Sequence, residues 1–242
     1  MVVPCSRCPL RQLPLFRKMT SDEVSFMEKF KAGEMTVEAG TQILTEGSGS
    51  SQLYTVLSGM GMRTKQLSNG RRQVISFVFP GDLIGLQASL MSEMEHSVDA
   101  ASRMRLCVFN RSELYQVFKS HPDRAFDLTW LVSSEEHFLG EALTTVGQRS
   151  AIERISWAFV KIHQRAAAID LLEENGLPFP YRQQDLADAL GLSLVHTNKT
   201  LAKLRERQLV FWSEGTLRVT KLEELARIAG MEIGPLRQRP LM

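Results

Sequence analysis

One stretch limits the fold more than any other. After Pro122 the chain runs to Val146 with a single glycine, Gly140, and no further proline. His121-Pro122-Asp123 reads as a helix start, with proline in the first turn, where its missing N–H is not needed. Leu128, Val132, Glu135, Leu139, Ala142 and Val146 recur at alternating spacings of four and three residues. That is a heptad seam with Glu135 as its one polar member. Such a rod can lie along its own domain or pair with a second copy. A helix packed on its own domain wants a broader apolar face, so the narrow seam favours a two-helix dimer.

The texture before the rod is strand-like. Residues 1–18 hold Cys5-Ser6-Arg7-Cys8, Pro9 and Pro14 and read as an irregular arm. Thr20-Ser21-Asp22-Glu23 is a capping box, opening a short helix with Val24, Met27 and Phe30 on its inner face. From Gly33 to about Phe109 come short segments punctuated by glycine: Gln42–Thr45, Leu53–Leu57, Met60–Lys65 and Gln73–Phe79. Ser68-Asn69-Gly70-Arg71 between two of them predicts a type I′ hairpin turn. Strands of this length and spacing imply a small antiparallel barrel or jelly roll, a form that commonly holds a ligand. A short helix over Ser112–Lys119 precedes the rod.

After the rod the pattern is helical. Gly147 is expected to break the long helix, and Ser150–Ala168 forms another with Ile152, Ile155, Phe159 and Ile162 inside. Asn175–Pro178 reads as a loop leading into Phe179–Trp212, two short helices around a tight turn. Leu186, Ala187 and Leu190 give the first an apolar face. Gly191 permits the sharp turn, and Ser193 is a good N-cap for the second. Thr197, Leu201 and Leu204 face inward. Val195, Lys199 and Ala202 point the opposite way, flanked by His196, Asn198 and Lys203. A basic, hydrogen-bonding outer face is the form of a major-groove reader; an αα-hairpin with solvated charges is the alternative. The expected DNA contacts are Arg182, Gln183, Ser193, Leu194, Val195, His196, Asn198, Lys199 and Lys203. Leu209–Trp212 and Thr216–Val219 make a two-stranded wing, and Lys221–Ala229 a last helix. The predicted fold is α+β: an arm (1–18), a β-barrel sensor (19–121), a dimerisation helix (122–147), a winged helix–turn–helix (148–230) and a flexible tail (231–242).

Bulk properties narrow the function. Residues 1–147 carry 15 Lys and Arg against 16 Asp and Glu, whereas residues 148–242 carry 14 against 11. The basic surplus falls on the helix–turn–helix side, as an electrostatic footprint for nucleic acid would. No apolar run reaches the ~18–20 residues of a membrane helix, and no signal-peptide layout opens the chain. Three cysteines do not make a disulfide framework, so the cytoplasm is the expected compartment. His96, His121, His137, His163 and His196 are scattered, with no His-x-His pair. With no convergent acid–base or metal group, an enzyme is not expected.

In order and spacing, these features resemble the Crp–Fnr superfamily of bacterial transcription regulators, in its Fnr- and FixK-like branch with an atypical cysteine set. The resemblance rests on Ala39-Gly40, Ile43, Glu46-Gly47, Leu53-Tyr54, Val56 and Gly59, on Pro80-Gly81-Asp82-Leu83-Ile84-Gly85, and on Glu153-Arg154 before the winged helix–turn–helix. It implies a cyclic-nucleotide-binding-type barrel and a homodimer on a two-fold symmetric stretch of double-stranded DNA. It also implies contact with, or blocking of, RNA polymerase. Two positions depart from the family. Cyclic-AMP-binding members carry an Arg-Ser pair where this chain has His96-Ser97, so cyclic AMP is not the expected effector. Many members read DNA with Glu and Arg where this chain has Val195 and Lys199, which implies a different half-site. Oxygen-sensing relatives hold an iron–sulfur cluster with three arm cysteines and one barrel cysteine. Cys5, Cys8 and Cys107 match three of these positions, and the fourth is Pro14. A cluster completed by another donor, a Cys5–Cys8 redox dithiol, a zinc site and inert thiols are the alternatives. The effector remains unassigned.

Overall fold

The structure, a computed structural model, describes residues 2–242. The chain forms two compact units, one of residues up to Glu135 together with Gln238–Met242, the other of Glu136–Arg237.

Two four-stranded antiparallel sheets build the first unit. Its helices and strands are α1 (Ser21–Phe30), β1 (Lys31–Val37), β2 (Gln42–Leu44), β3 (Gln52–Ser58), β4 (Gly61–Gln66), β5 (Arg72–Val78), β6 (Leu83–Ile84), α2 (Leu86–Met91), β7 (Ser97–Ala100), β8 (Met104–Asn110) and α3 (Leu114–Ser120). The sheet orders are β1-β8-β3-β6 and β2-β7-β4-β5, a jelly roll. Tyr54, Val56, Leu106 and Val108 point inward to meet Leu44, Val78, Val98 and Ala100 in one core. Leu53–Leu57 is buried without alternation. A second layer explains this: the outer faces of β3 and β8 are covered as well. Phe109 stacks on Phe30 of α1 at 5.0 Å. Phe16 of the arm lies on Gly81, where a Cβ would stand 2.2 Å from its ring. Only glycine admits the arm there, and its φ of 87° is easy without a side chain. Thr20 and Glu23 form the expected capping box on α1.

The hairpin between β4 and β5 differs from expectation. Gly70 has φ 80°, but Asn69 does not adopt positive φ, so the turn is not type I′. Instead Gly70 N–H donates to Leu67 O, Leu67 N–H to Arg71 O, and Arg71 N–H to Asn69 Oδ1 at 3.0 Å. The three-residue loop lets the asparagine side chain, rather than its backbone, close the turn.

The long helix α4 (Pro122–Gln148) passes through Gly147, which does not break it. Ser150 then caps α5 (Ala151–Ala168) with Glu153. Along α4 the expected seam divides. Leu128 is 1% exposed, a core residue of the first unit and not a free interface residue, whereas Val132 and Leu139 are 49% and 47% exposed. Leu143, absent from the expected seam, is 75% exposed. Glu135 is explained by Arg63, a buried guanidinium whose Nη1 stands 3.4 Å from its carboxylate. Ala142 and Val146 are half-buried.

In the second unit, α5 is followed by β9 (Leu177–Pro178), α6 (Gln183–Leu190), α7 (Leu194–Glu206), β10 (Val210–Ser213), β11 (Thr216–Val219) and α8 (Leu222–Ile228). The wing gains β9 as a third strand, beside β11, where a loop was expected. Phe159, Phe179, Tyr181 and Trp212 make an aromatic cluster, with Phe179 5.1 Å from Trp212 and 4.8 Å from Tyr181.

The expectation of a flexible tail over 231–242 fails for its last five residues. Pro240, Leu241 and Met242 are buried in the first unit. Arg239 forms a parallel bridge with Phe16 and an ion pair with Asp82 at 2.9 Å. Residues 232–238 are exposed.

Candidate nucleic-acid interface

α7 is an amphipathic rod whose two faces have separate work. Thr197, Thr200, Leu201 and Leu204 are buried, as are Leu186, Ala187 and Leu190 of α6 opposite. Gly191 joins the helices with φ 63°, a left-handed conformation that would strain a side chain. A Cβ there would also press within 3.3 Å of Val146. Arg154 fixes the turn, with Nη1 donating to Leu190 O at 3.0 Å and Nε to Arg149 O at 2.7 Å. It satisfies a carbonyl that the end of α6 leaves open. Sequence reasoning named Arg154 only as a family marker; its distance from the turn in sequence hid this role. Ser193 caps α7, its Oγ accepting from His196 N–H at 3.2 Å.

The outer face then presents Leu194, Val195, His196, Asn198, Lys199, Ala202 and Lys203, all exposed. Among the described residues, the side chains of Asn198, Lys199 and Lys203 have no hydrogen bond or ion pair. Their donors are unspent. Arg182 and Gln183 lie at the start of α6. The Arg182 side chain is exposed but leans on buried Asp185 at 3.3 Å, and Gln183 is half-buried.

The barrel positions are differently disposed. His96 is half-buried, and Ser97 Oγ accepts from Glu46 N–H at 3.0 Å. Burial first, then the charges of Arg63 and Lys65, push the His96 imidazole down to about 4 from 6.5. The residue is therefore neutral at pH 7 and supplies no cation. Between pH 6.5 and about 4 the unfolded chain takes a proton that the folded protein refuses. This contribution to stability is fully present above pH 6.5 and is lost as pH falls towards 4. His96→Gln should lower the melting temperature less than wild type does between pH 7 and 5. Parallel melting curves would remove His96 as the source.

Cys5, Cys8 and Cys107 line one cavity of about 30 Å3, with Leu10, Met27 and Leu57. A space of that size holds roughly a water molecule. Burial pushes the Cys107 thiol up to about 12, against the pull of the Lys31 ammonium, and raises Cys5 as well. Among the described residues no group of three or more His, Cys, Asp or Glu is arranged to hold a metal. Pro14 offers no side-chain donor, and its carbonyl accepts from Gln238 Nε2 at 3.0 Å. The donor set does not fit a four-thiolate iron–sulfur cluster.

Comparison with known proteins agrees with this geometry. Residues 34–121 match the family model "Cyclic nucleotide-binding domain", and residues 153–228 match "Crp-like helix-turn-helix domain". The chain is 30% identical over 195 residues to the nitrogen fixation regulation protein FixK of Rhizobium meliloti, covering 78% of this chain and 84% of that one. It is 24% identical over 204 residues to the transcriptional activator protein FnrL of Cereibacter sphaeroides, covering 83% and 81%. The solved structure of FixK2 from Bradyrhizobium japonicum superposes with a TM-score of 0.72 at 22% identity, over 83% of this chain and 98% of that one. No helix among the described residues is long and apolar enough to cross a membrane. With its jelly roll, long helix and winged helix–turn–helix in that order, the chain belongs to the Crp–Fnr superfamily of transcription regulators.

Proposed function

We propose that the protein is a homodimeric, sequence-specific regulator that binds a two-fold symmetric operator in double-stranded DNA and activates or represses transcription through RNA polymerase. The outer face of α7 carries this reading. Its cations and amide are exposed and, among the described residues, unpartnered, while the opposite face of the same helix is locked into the core. Val132, Leu139 and Leu143 on α4 supply the pairing surface, and the barrel takes a signal other than cyclic AMP. The cytoplasm is where it would act. The relatives named regulators and activators lie in the same class.

Selection from random duplex DNA, followed by hydroxyl-radical footprinting, tests the proposal. A palindromic motif is expected, with half-sites one helical turn apart, about 34–36 Å. Enrichment of a single half-site, or none, would sink it. A second reading, a constitutive regulator with a structural barrel, draws on the barrel interior, which is filled by Tyr54, Ile84, Met94, Met104 and Leu106. Operator affinity unchanged by redox state and by small-molecule extracts would favour it.

A further inference from the structure

The five residues Gln238–Met242 belong to the first unit, although the second unit precedes them in the chain. They are fastened there by contacts of several kinds. Arg239 N–H donates to Leu15 O at 2.8 Å, and Arg17 N–H donates to Arg239 O at 2.9 Å. Arg239 Nη1 reaches Asp82 Oδ1 at 2.9 Å, and Asp82 also accepts from Phe79 N–H through Oδ2. Arg124 Nη2 donates to Leu241 O at 3.0 Å, and Thr55 Oγ1 donates to Met242 O at 2.6 Å. The segment has thus replaced water at buried polar groups of arm, barrel and helix alike.

Its position over the barrel is informative. Thr55 on β3 and Glu34 on β1 are the direct cross-strand partners of Cys107 on β8. Direct partners share a face of the sheet. Met242 is bonded to Thr55 in this row, and Lys31 is paired with Glu34 at 2.6 Å in the same row. Leu241 and Met242 line the cavity that Cys5, Cys8 and Cys107 share. The cavity that the three thiols and one ammonium share is therefore walled in part by this segment, with Cys8 and Cys107 buried and Cys5 half-buried.

We propose that Gln238–Met242 is a latch closing a thiol-modification site formed by Cys5, Cys8 and Cys107, and that soft carbon electrophiles of the α,β-unsaturated carbonyl class reach it only when the latch opens. Closed, the pocket has room for about one water molecule, and burial pushes the Cys5 and Cys107 thiols up. Open, it admits water, and Lys31 is already placed to hold a thiolate at Cys107. The thiolate sulfur then adds to the electrophile's carbon–carbon double bond, and the proton it released ends on the adjacent carbon. No oxidant is needed.

N-ethylmaleimide labelling of the full chain, read peptide by peptide in a mass spectrometer, tests the latch. Cys107 should label slowly in the wild type, about tenfold or more faster in Arg239→Ala, and fastest in a variant lacking residues 238–242, as the opening equilibrium shifts. Hydrogen exchange at the Arg17 amide should accelerate in the same order. Equal Cys107 labelling in all three folded proteins would overturn the latch. So would a wild type that labels as fast as the urea-unfolded chain. Should the shortened variant fail to fold, the Arg239→Ala comparison alone decides.

Discussion

Leu139→Glu combined with Leu143→Glu is expected to leave a folded monomer whose operator affinity is lower by about a hundredfold or more, the avidity that joining two half-site readers supplies. Val132, Leu139 and Leu143 are spaced by seven and four residues, which on a helix of 100° per residue places them within about 40° of one another. All three are large, apolar and substantially exposed. Burying one such side chain is worth about 1.5–3 kcal/mol, and a two-fold axis counts each one twice. Four buried carboxylates facing one another would reverse that gain. Leu139 and Leu143 are among the exposed large apolar residues rather than the buried core, so helix content and melting of the barrel should change little. Sedimentation velocity and gel shift read the two effects separately. A double variant that still sediments as a dimer would move the pairing surface off this face of α4.

The sequence revealed α7 more fully than α4, and the reason is physical. On α7 one face packs against its own unit and the other meets solvent, so the 3.6-residue period alone separates Thr197, Leu201 and Leu204 from Val195, Lys199 and Ala202. On α4 different stretches serve different neighbours. Leu128 is taken by its own unit, Glu135 is claimed by Arg63, and Leu143 is left outside. Periodicity identifies an apolar stripe but not the body that covers it. The tail was illegible for another reason. Residues 231–242 have no period, and their docking depends on single pairs such as Arg239 with Asp82, 157 residues apart in the chain. Likewise β3 lacks alternation because arm and α1 cover its outer face, which no property of β3 alone discloses. The cysteines were legible as a set, and the structure does bring all three together, but a proline and a cavity of about 30 Å3 stand where a fourth ligand and a cluster would be needed.

Lys199→Ala is expected to cost about 1–3 kcal/mol of operator binding, roughly five- to 150-fold, while binding to unrelated DNA stays nearly constant. The magnitude follows from where the ammonium stands. Lys199 lies one turn after Val195 on the outer face, with no partner among the described residues to release before it meets a base. Guanine O6 and N7 are the acceptors that suit it, and Val195, 63% exposed, can meet only a thymine methyl. A phosphate contact from the same side chain would behave differently. It would weaken every sequence alike and reduce the salt dependence by about one ion. Titrating wild type and variant against operator and scrambled duplex at two salt concentrations separates the cases. Loss confined to the operator, at unchanged salt slope, places Lys199 on a base edge. Equal loss on both duplexes assigns it to the backbone and leaves Asn198 and His196 to read the sequence. No loss on either would remove Lys199 from the groove.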